Sequence, residues 1–257
     1  MRRIAEKLIL ITGASAGIGA ACARRLAAEG AHLVLWARRE ERLERLADEL
    51  RRAHRTTVRT ARVDVRDRPL VLQAVADLVA IGAVPDVLIN NAGLASGLAP
   101  LQEGDFEDWD RMIDTNVTGL LNVTRALLPH MIALGRGHVV NLGSIAGQQV
   151  YPKGNVYVAT KFAVRGLTEA INVDLAGTPL RASSVDPGFV ETEFSAVRFA
   201  GDRERARAVY QGFTPLTADD VADAVAYVIA APPHVNVFNV VLLPTAQRNV
   251  SLVDRTS

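Results

Sequence analysis

The chain has 257 residues, of which 49% are hydrophobic and 22% charged, and its formal net charge is +1. This composition suffices for a buried core, and so small a net charge argues against an electrostatic nucleic-acid binder. No apolar run approaches the roughly 20 residues of a membrane span, and the one near the start is too short for a secretory signal, so we expect a cytoplasmic protein. The single cysteine, Cys22, is expected to be a small core residue, and with five scattered histidines we expect no metal site.

Short apolar runs alternate with amphipathic helical patterns along the whole chain, which is typical of repeated βα units. The predicted strands are Leu8–Ile11, His32–Trp36, Thr57–Val63, Val87–Ile89, His138–Asn141, Arg181–Val185 and Asn236–Leu242. The predicted helices are Gly17–Glu29, Glu40–Arg52, Pro69–Ala80, Phe106–Leu134, Asn155–Leu175, Arg203–Gln211 and Ala218–Ala230. We therefore expect an α/β fold: a single doubly wound Rossmann-type domain over residues 1–257 with a seven-stranded parallel sheet. Residues 244–257 are predicted to form a flexible tail or a subunit contact.

A glycine-rich turn follows the first strand and opens the first helix. Gly13 permits the tight turn, Gly17 allows a cofactor to approach the backbone, and Gly19 lets the helix pack on the strand. Backbone N–H groups at such a helix start attract phosphate, so Ser15, Ala16 and Ile18 join the glycines as predicted cofactor-binding residues.

The end of the second strand indicates which dinucleotide binds. NAD sites place a carboxylate there for the ribose 2′-hydroxyl, whereas this strand ends on Arg38 and Arg39. A guanidinium suits a 2′-phosphate, which it can bind bidentately. We predict NADP(H) with both arginines as the phosphate clamp; the alternative is that they are solvated residues at a helix start, more so for Arg39 than for Arg38.

Two further strand ends carry candidate cofactor contacts. Asp64 and Val65 follow the third strand, where the carboxylate either accepts a hydrogen bond from the adenine amino group or forms a turn or cap before the next helix. Asn91, Ala92 and Gly93 follow the fourth strand, at the edge where open sheets bind ligands.

Tyr157 and Lys161 are the most informative pair, since four-residue spacing stacks them on one helix face. A phenol ionises near pH ~10, and a lysine ammonium one turn away favours the phenolate. The spacing alone is common, and a surface pair is its alternative. Ser144, which lies thirteen residues earlier after an apolar run, and the glycine turn together favour a hydride-transfer enzyme.

These motifs stand in the order found in short-chain dehydrogenases/reductases, which the chain resembles over nearly its full length. Within that family it is similar to the NADP-dependent 3-hydroxy acid (serine) dehydrogenases. The matching residues are Gly13, Gly17, Gly19, Asn90-Asn91-Ala92-Gly93, Asn116, Ser144, Tyr157, Lys161 and Pro187-Gly188, with subgroup support from 37–39, 112–116, 154–157, 192–199 and 243–247.

The resemblance implies a role for each catalytic residue. Tyr157 would act as general base or acid, and Lys161 would lower the pKa of the tyrosine and hold the nicotinamide ribose. Ser144 would donate to the substrate oxygen, and Asn116 would support a water chain from Lys161 to solvent, unless it is an exposed helix residue. Segment 186–192 would frame the nicotinamide, which adds Pro187, Gly188, Val190 and Thr192 to the predicted cofactor-binding residues. Residues 193–212 would form a mobile substrate lid, and a homotetramer is expected.

The substrate is predicted to be a small 3-hydroxy acid such as serine or 3-hydroxyisobutyrate, or a related alcohol or ketone. Lys153 and Arg198 are candidates to bind its carboxylate, with plain surface charges as the alternative. Gln148, Gln149 and Tyr151 are expected to line the pocket. Two alternatives stay open: a carbonyl or 3-oxoacyl reductase of another substrate, and a non-catalytic NADP-binding regulator.

Overall fold

Seven strands form one parallel sheet in the computed structural model, which describes residues 3–255. The strand order is β3-β2-β1-β4-β5-β6-β7. The strands are β1 (Leu8–Thr12), β2 (His32–Ala37), β3 (Val58–Arg62), β4 (Val87–Asn90), β5 (His138–Leu142), β6 (Arg181–Pro187) and β7 (Asn239–Leu242). The predicted fold class is confirmed.

The last strand begins three residues later than predicted, at Asn239. Asn236 bonds through its side chain instead of the strand ladder, donating to the Ala182 carbonyl and accepting from the Ser183 hydroxyl, each at 3.2 Å. Its amide therefore ties the chain to β6 before regular pairing starts.

Nine α-helices accompany the sheet within residues 3–255. They are α1 (Gly17–Ala28), α2 (Glu40–Ala53), α3 (Arg68–Ala80), α4 (Phe106–Ile113), α5 (Gly119–Ala133), α6 (Asn155–Asp174), α7 (Phe194–Arg198), α8 (Arg203–Ala208) and α9 (Ala218–Ala230). Short 3₁₀ turns lie at Leu101–Glu103 and Ile145–Gly147.

The long helix predicted over 106–134 is interrupted, which corrects that prediction. A π-helical segment, Asp114–Thr118, separates α4 from α5. Inside it the buried Asn116 amide bonds to the main chain of Leu94, and Gly119 just beyond approaches Val65 so closely that a Cβ would lie 2.5 Å from its side chain. The widened turn accommodates these contacts, and such segments are frequent at functional sites.

The two faces of the sheet carry separate apolar cores because successive strand side chains alternate. Ile9 and Ile11 of β1 face the core made with α1, α2 and α9, whereas Leu10 faces the core made with α3, α5 and α6. Cys22 is fully buried in the first core, as predicted, and burial raises the pKa of its thiol to about 12. Helices on both faces make the sheet doubly wound.

The strand order reverses between β1 and β4, so their carboxyl ends open a crevice. Thr12 ties the two ends together: its hydroxyl oxygen accepts from the N–H groups of Asn91 at 3.1 Å and Ala92 at 3.0 Å. Residues 193–212 lie beyond this edge; we call them the lid, and they contain α7 and α8.

The described part of the predicted tail, 244–255, packs against the rest of the chain. Gln247 is buried, and Arg255 donates to the Val209 carbonyl at 3.0 Å. Residues 256 and 257 lie outside the described range. Across residues 3–255, no helix is both long and apolar enough to cross a membrane.

Candidate active site

A cavity of about 340 Å³ opens at the carboxyl edge of the sheet. It brings together nearly all of the predicted cofactor residues from six separate segments. Those lining it are Gly13, Ser15, Ala16, Gly17, Ile18, Arg38, Arg39, Asp64, Val65, Asn91, Ala92, Gly93, Tyr157, Lys161, Pro187, Gly188, Val190 and Thr192. We call it the nucleotide cavity.

Two glycines set the shape of its floor. Gly13 and Gly17 adopt φ of +64° and +52°, which strongly favours glycine. A Cβ at Gly13 would also lie 2.8 Å from the Ala92 Cα. The main chain is therefore exposed to the cavity where the first helix begins, and the N-terminal N–H groups of that helix are available to an anion.

Gly19 is the one predicted cofactor residue that does not line the cavity. A Cβ there would lie 2.5 Å from the Asn91 side chain and 2.7 Å from the Gly13 carbonyl. Its place in the structure is helix–strand packing behind the turn, as the spacing also predicted.

The two arginines predicted as a phosphate clamp both line the cavity, but their surroundings differ. Arg39 donates to the Ser15 hydroxyl at 3.2 Å and pairs with Glu193 at 2.9 Å. Arg38 is exposed, and its side chain makes no hydrogen bond or ion pair with residues 3–255. Arg42, which sequence reasoning missed, joins Arg39 on Glu193 at 2.8 Å.

Asp64 lines the cavity with its carboxylate already partnered. Arg66 donates to it from both side chain and backbone, and this pairing holds the pKa of the Asp64 carboxyl below its usual value. The cap of α3 is Asp67, which accepts from the Leu70 N–H at 3.0 Å. Asp64 is thus not the helix cap that the sequence left open.

Tyr157 and Lys161 lie one turn apart on α6, with the lysine Nζ 6.0 Å from the tyrosine ring centroid. The buried Lys161 donates to the Leu142 carbonyl at the end of β5 at 2.8 Å. Ser144 caps the 3₁₀ turn after β5, where its oxygen accepts from the Ala146 N–H at 3.1 Å. The contact with β5 fixes Lys161, the cap fixes Ser144, and Tyr157 lies one turn before Lys161 on the same helix. The three residues form one wall of the nucleotide cavity.

The electrostatics of this wall differ from the sequence-based expectation. Burial raises the pKa of the Tyr157 phenol above its ordinary value, and the opposing influences are a hydrogen bond with Ser144 and the charge of Arg198, not Lys161. Burial also lowers the pKa of Lys161 to about 8, against the smaller opposing effect of Asp186. In the protein alone, the wall therefore disfavours both the phenolate and the ammonium.

Asn116 is buried beside this wall, which excludes the exposed-residue alternative. Its Oδ1 accepts from the Leu94 N–H at 2.8 Å, and its Nδ2 donates to the Leu94 carbonyl at 2.8 Å and the Thr160 hydroxyl at 3.0 Å. Thr160 in turn donates to the Tyr157 carbonyl at 2.7 Å. Asn116 thus connects the loop after β4 to the catalytic helix.

Asp186, at the end of β6, is a buried charge that sequence reasoning passed over. Its Oδ2 accepts from Gln148 at 2.8 Å and Asn239 at 2.7 Å, and its Oδ1 accepts from Ser184. Its signal in the sequence was a carboxylate near the carboxyl end of a predicted strand. The side chain of Gln148 is engaged here and does not line either cavity.

A second cavity of about 240 Å³ lies on the other side of Tyr157, which lines both. Arg198 and Lys153, the two predicted carboxylate ligands, both line it. Arg198 donates to the Gly97 carbonyl at 3.1 Å and lies 5.8 Å from the Tyr157 ring centroid. Lys153 is exposed and held at φ +65°. We call this the substrate cavity.

Gln149 and Tyr151, predicted to line the pocket, do not line either cavity. Gln149 accepts from the Val250 N–H at 2.9 Å, so it holds the tail. Tyr151 packs in an apolar cluster with Tyr157, and Arg198 lies over its ring at 5.5 Å. Tyr151 therefore contacts the Arg198 guanidinium without lining the cavity itself. Across residues 3–255, no group of three or more histidine, cysteine or acidic side chains could hold a metal ion.

Comparison with known proteins agrees with this geometry. The model of a family described as short chain dehydrogenase matches residues 7–203. The chain is 46% identical to an NADP-dependent 3-hydroxy acid dehydrogenase of Salmonella typhi, covering 93% of this chain and 96% of that one. It is 47% identical to sulfoacetaldehyde reductase 2 of Chromohalobacter salexigens, covering 93% and 95%.

A solved structure described as the closed form of serine dehydrogenase complexed with NADP⁺ superposes with a TM-score of 0.90. The two chains are 41% identical, and the match covers 97% of this chain and 100% of the other. The protein described here therefore belongs to the short-chain dehydrogenase family.

Proposed function

We propose that this oxidoreductase uses NADP(H) and transfers a hydride between the nicotinamide and a small 3-hydroxy acid or a related anionic alcohol or ketone. One observation carries the proposal: Tyr157 separates a nucleotide-shaped cavity from a second cavity that contains a guanidinium. A proton-transfer group between a cofactor site and an anion site is what oxidation of a hydroxy acid requires.

The nucleotide cavity fits the dinucleotide by its shape and its charge. The absence of side chains at Gly13 and Gly17 leaves main-chain N–H groups accessible, and a Cβ at Gly13 would meet Ala92. At the far end, Arg38, Arg39 and the Ser15 hydroxyl surround the position expected for a 2′-phosphate. When bound, the cofactor supplies or accepts the hydride.

The remaining chemistry belongs to the catalytic wall. Tyr157 accepts the hydroxyl proton during oxidation and returns it during reduction, while Ser144 donates to the same substrate oxygen. Lys161 holds the nicotinamide ribose and stabilises the phenolate once the site is loaded. Asn116 orders the route by which the proton leaves.

The relatives narrow the substrate class. A 3-hydroxy acid and sulfoacetaldehyde share one pattern: a reacting carbon, one bridging carbon and then an anion. Arg198 suits this pattern because its guanidinium lies 5.8 Å from the Tyr157 ring centroid. A guanidinium binds a carboxylate or sulfonate with several donors. A cavity of about 240 Å³ favours such small molecules over an acyl thioester.

Initial rates test the proposal. NADP⁺ and NAD⁺ would be compared with serine, 3-hydroxyisobutyrate and neutral alcohols of similar length, and NADPH with sulfoacetaldehyde. We expect turnover of the anionic compounds with a clear NADP preference. Arg198→Met should raise KM for the anionic compounds about tenfold or more, since a charged hydrogen bond is worth about 1.5–3 kcal/mol. The KM for neutral alcohols should stay unchanged.

Lys153→Met is the matched control, because it removes the other cation of the same cavity. A larger effect at Lys153 than at Arg198 would reverse the assignment. Turnover of bulky ketones alone would favour the carbonyl-reductase alternative, and NADPH binding without turnover of any compound would favour the regulator.

A homotetramer is proposed from the resemblance and supported by exposed apolar side chains. Phe106 and Leu121 on α4 and α5, and Phe162 and Val173 on α6, are 41% to 74% exposed. These apolar side chains are available to a subunit contact. Light scattering should give four times the chain mass, and the monomer mass would contradict it. The cytoplasmic location stays a prediction from the sequence.

A further inference from the structure

Glu193, the first residue of the lid, forms ion pairs with two arginines at the start of the second helix. Its Oε2 lies 2.9 Å from Arg39, and its Oε1 lies 2.8 Å from Arg42. The two guanidiniums together hold the pKa of the Glu193 carboxyl below its usual value. The carboxylate and both arginines are about half exposed.

Arg39 also forms a hydrogen bond with the glycine-rich turn after β1. Arg39 donates its Nε–H to the Ser15 hydroxyl at 3.2 Å, and Ser15, Arg39 and Glu193 all line the nucleotide cavity. Two Arg39 donors are thus already engaged within the protein, the Nε–H by the Ser15 hydroxyl and an Nη1–H by the Glu193 carboxylate. An incoming phosphate must displace that carboxylate or bind beside a like charge.

We propose that Glu193 is a cofactor-specificity residue, an internal carboxylate that the 2′-phosphate of NADP(H) displaces from Arg39 and Arg42. The inference rests on the proposed use of NADP(H). The displacement weakens binding of the 2′-phosphate and releases the start of the lid at the same time.

The release reaches the substrate cavity through α7. Glu193 immediately precedes this helix, whose first residue, Phe194, packs edge-on against the Tyr157 ring at 5.7 Å and whose last residue is Arg198. Freeing Glu193 therefore loosens the segment that carries the predicted substrate ligand. A cofactor without the 2′-phosphate leaves the ion pairs in place.

Calorimetric titration with nucleotide fragments isolates the 2′-phosphate from the rest of the cofactor. Binding of 2′,5′-ADP and 5′-AMP would be measured for the wild type, Glu193→Gln and the control Glu191→Gln, an exposed lid-proximal carboxylate with no bond to either arginine. We expect Glu193→Gln to tighten 2′,5′-ADP about two- to fivefold, the range of exposed ion pairs, and to leave 5′-AMP unchanged. Glu191→Gln should change neither.

Trypsin cleavage at the lid arginines gives a second readout. In the wild type, 2′,5′-ADP should speed cleavage and 5′-AMP should not; in Glu193→Gln, cleavage should be fast without any fragment. Equal tightening of both fragments, or no change in either readout, would overturn the inference. If 2′,5′-ADP binds wild type no better than 5′-AMP, the NADP proposal itself fails, so the two failures are distinguishable. Melting curves verify that each variant is folded.

Discussion

Two parts of the site are held by different forces. The proposed catalytic residues are the wall described above, Ser144, Tyr157 and Lys161, together with Asn116 beside it; we call them the catalytic floor. Three of them, Asn116, Ser144 and Lys161, are at most 9% exposed and hydrogen-bond to main-chain atoms. The lid is built from short helices, and the ion pairs at its first residue, Glu193, are about half exposed. Buried hydrogen bonds are costly to break, whereas exposed ion pairs contribute little and weaken in salt. We therefore expect the lid to open more readily than the floor.

The largest expected effect breaks the chemistry of the floor. Tyr157→Phe removes the proton-transfer group, and kcat should fall about 10²- to 10⁴-fold. Tyr151→Phe is the matched control, because it removes a buried phenol hydroxyl from a residue that lines neither cavity. Steady-state rates decide the matter, and a Tyr157→Phe enzyme with near-normal kcat would remove the tyrosine from its assigned role.

The next effect concerns stability in the floor. Asn116→Ala leaves the Leu94 N–H and carbonyl unpaired, which should cost about 1–3 kcal/mol of unfolding free energy. Thr115→Val, at the neighbouring position, should cost almost nothing because the Thr115 hydroxyl has no partner among the described residues. Urea unfolding measures both. Equal losses would mean that the π-helical segment, and not the amide, carries the stability.

Lys161 should show that the floor sacrifices stability for function. Burial lowers its pKa from 10.5 to about 8, so the unfolded chain binds more protons between those values and stability rises with pH across that window. Below pH 8 the buried charge is a cost. Lys161→Met should therefore add about 1–2 kcal/mol at pH 7, after loss of the bond to Leu142, and flatten the rise.

Thermal melting at pH 7 and at pH 10 checks this prediction. Lys153→Met serves as the control, because that lysine is exposed. A lower Tm for Lys161→Met at pH 7 would mean that the bond to Leu142 outweighs the cost of burying the charge.

The smallest effect belongs to the lid. Tyr210 donates to the Val190 carbonyl at 2.9 Å and bonds the Ser195 hydroxyl at 2.7 Å. Tyr210→Phe should speed tryptic cleavage of the lid about two- to fivefold, since one hydrogen bond is worth about 1 kcal/mol, with the global Tm unchanged. Tyr227→Phe, at a side chain of α9 that is 63% exposed, should change neither the cleavage rate nor the Tm. If Tyr210→Phe lowers the global Tm as well as speeding cleavage, the lid unfolds together with the whole domain.

The same division decides what the sequence could predict. The alternation of strand and helix patterns predicted all seven strands. β1 and β4 gave the clearest signal, because they are buried on both faces and form continuous apolar runs. The placement of Tyr157 and Lys161 on one helix face followed from their four-residue spacing, but their assignment to a site also needed Ser144 and the glycine-rich turn. Their partners could not be predicted this way, since the Leu142 and Leu94 contacts are main-chain atoms that any residue supplies.

The lid was less predictable for a related physical reason. Arg39 was assigned to phosphate from its position, but its pairing with Glu193 joins residues 154 positions apart and leaves no local pattern.

The pKa of Tyr157 was expected to fall because of the nearby charge, whereas burial dominates and raises it. Spacing reports neighbours on one element, and burial depends on every element around it.

The π-helical segment Asp114–Thr118 sets the rotation of α4 relative to α5. One residue in a helix corresponds to about 100° of rotation. Deleting a single residue there would turn the face of α4 by that angle, carrying Asp108 and Trp109 away from the substrate cavity that they line. The depth and polarity of that cavity are thus set by the length of the chain as much as by the side chains facing it. Relatives that gain or lose one residue at this point would acquire a different substrate wall on an unchanged catalytic floor.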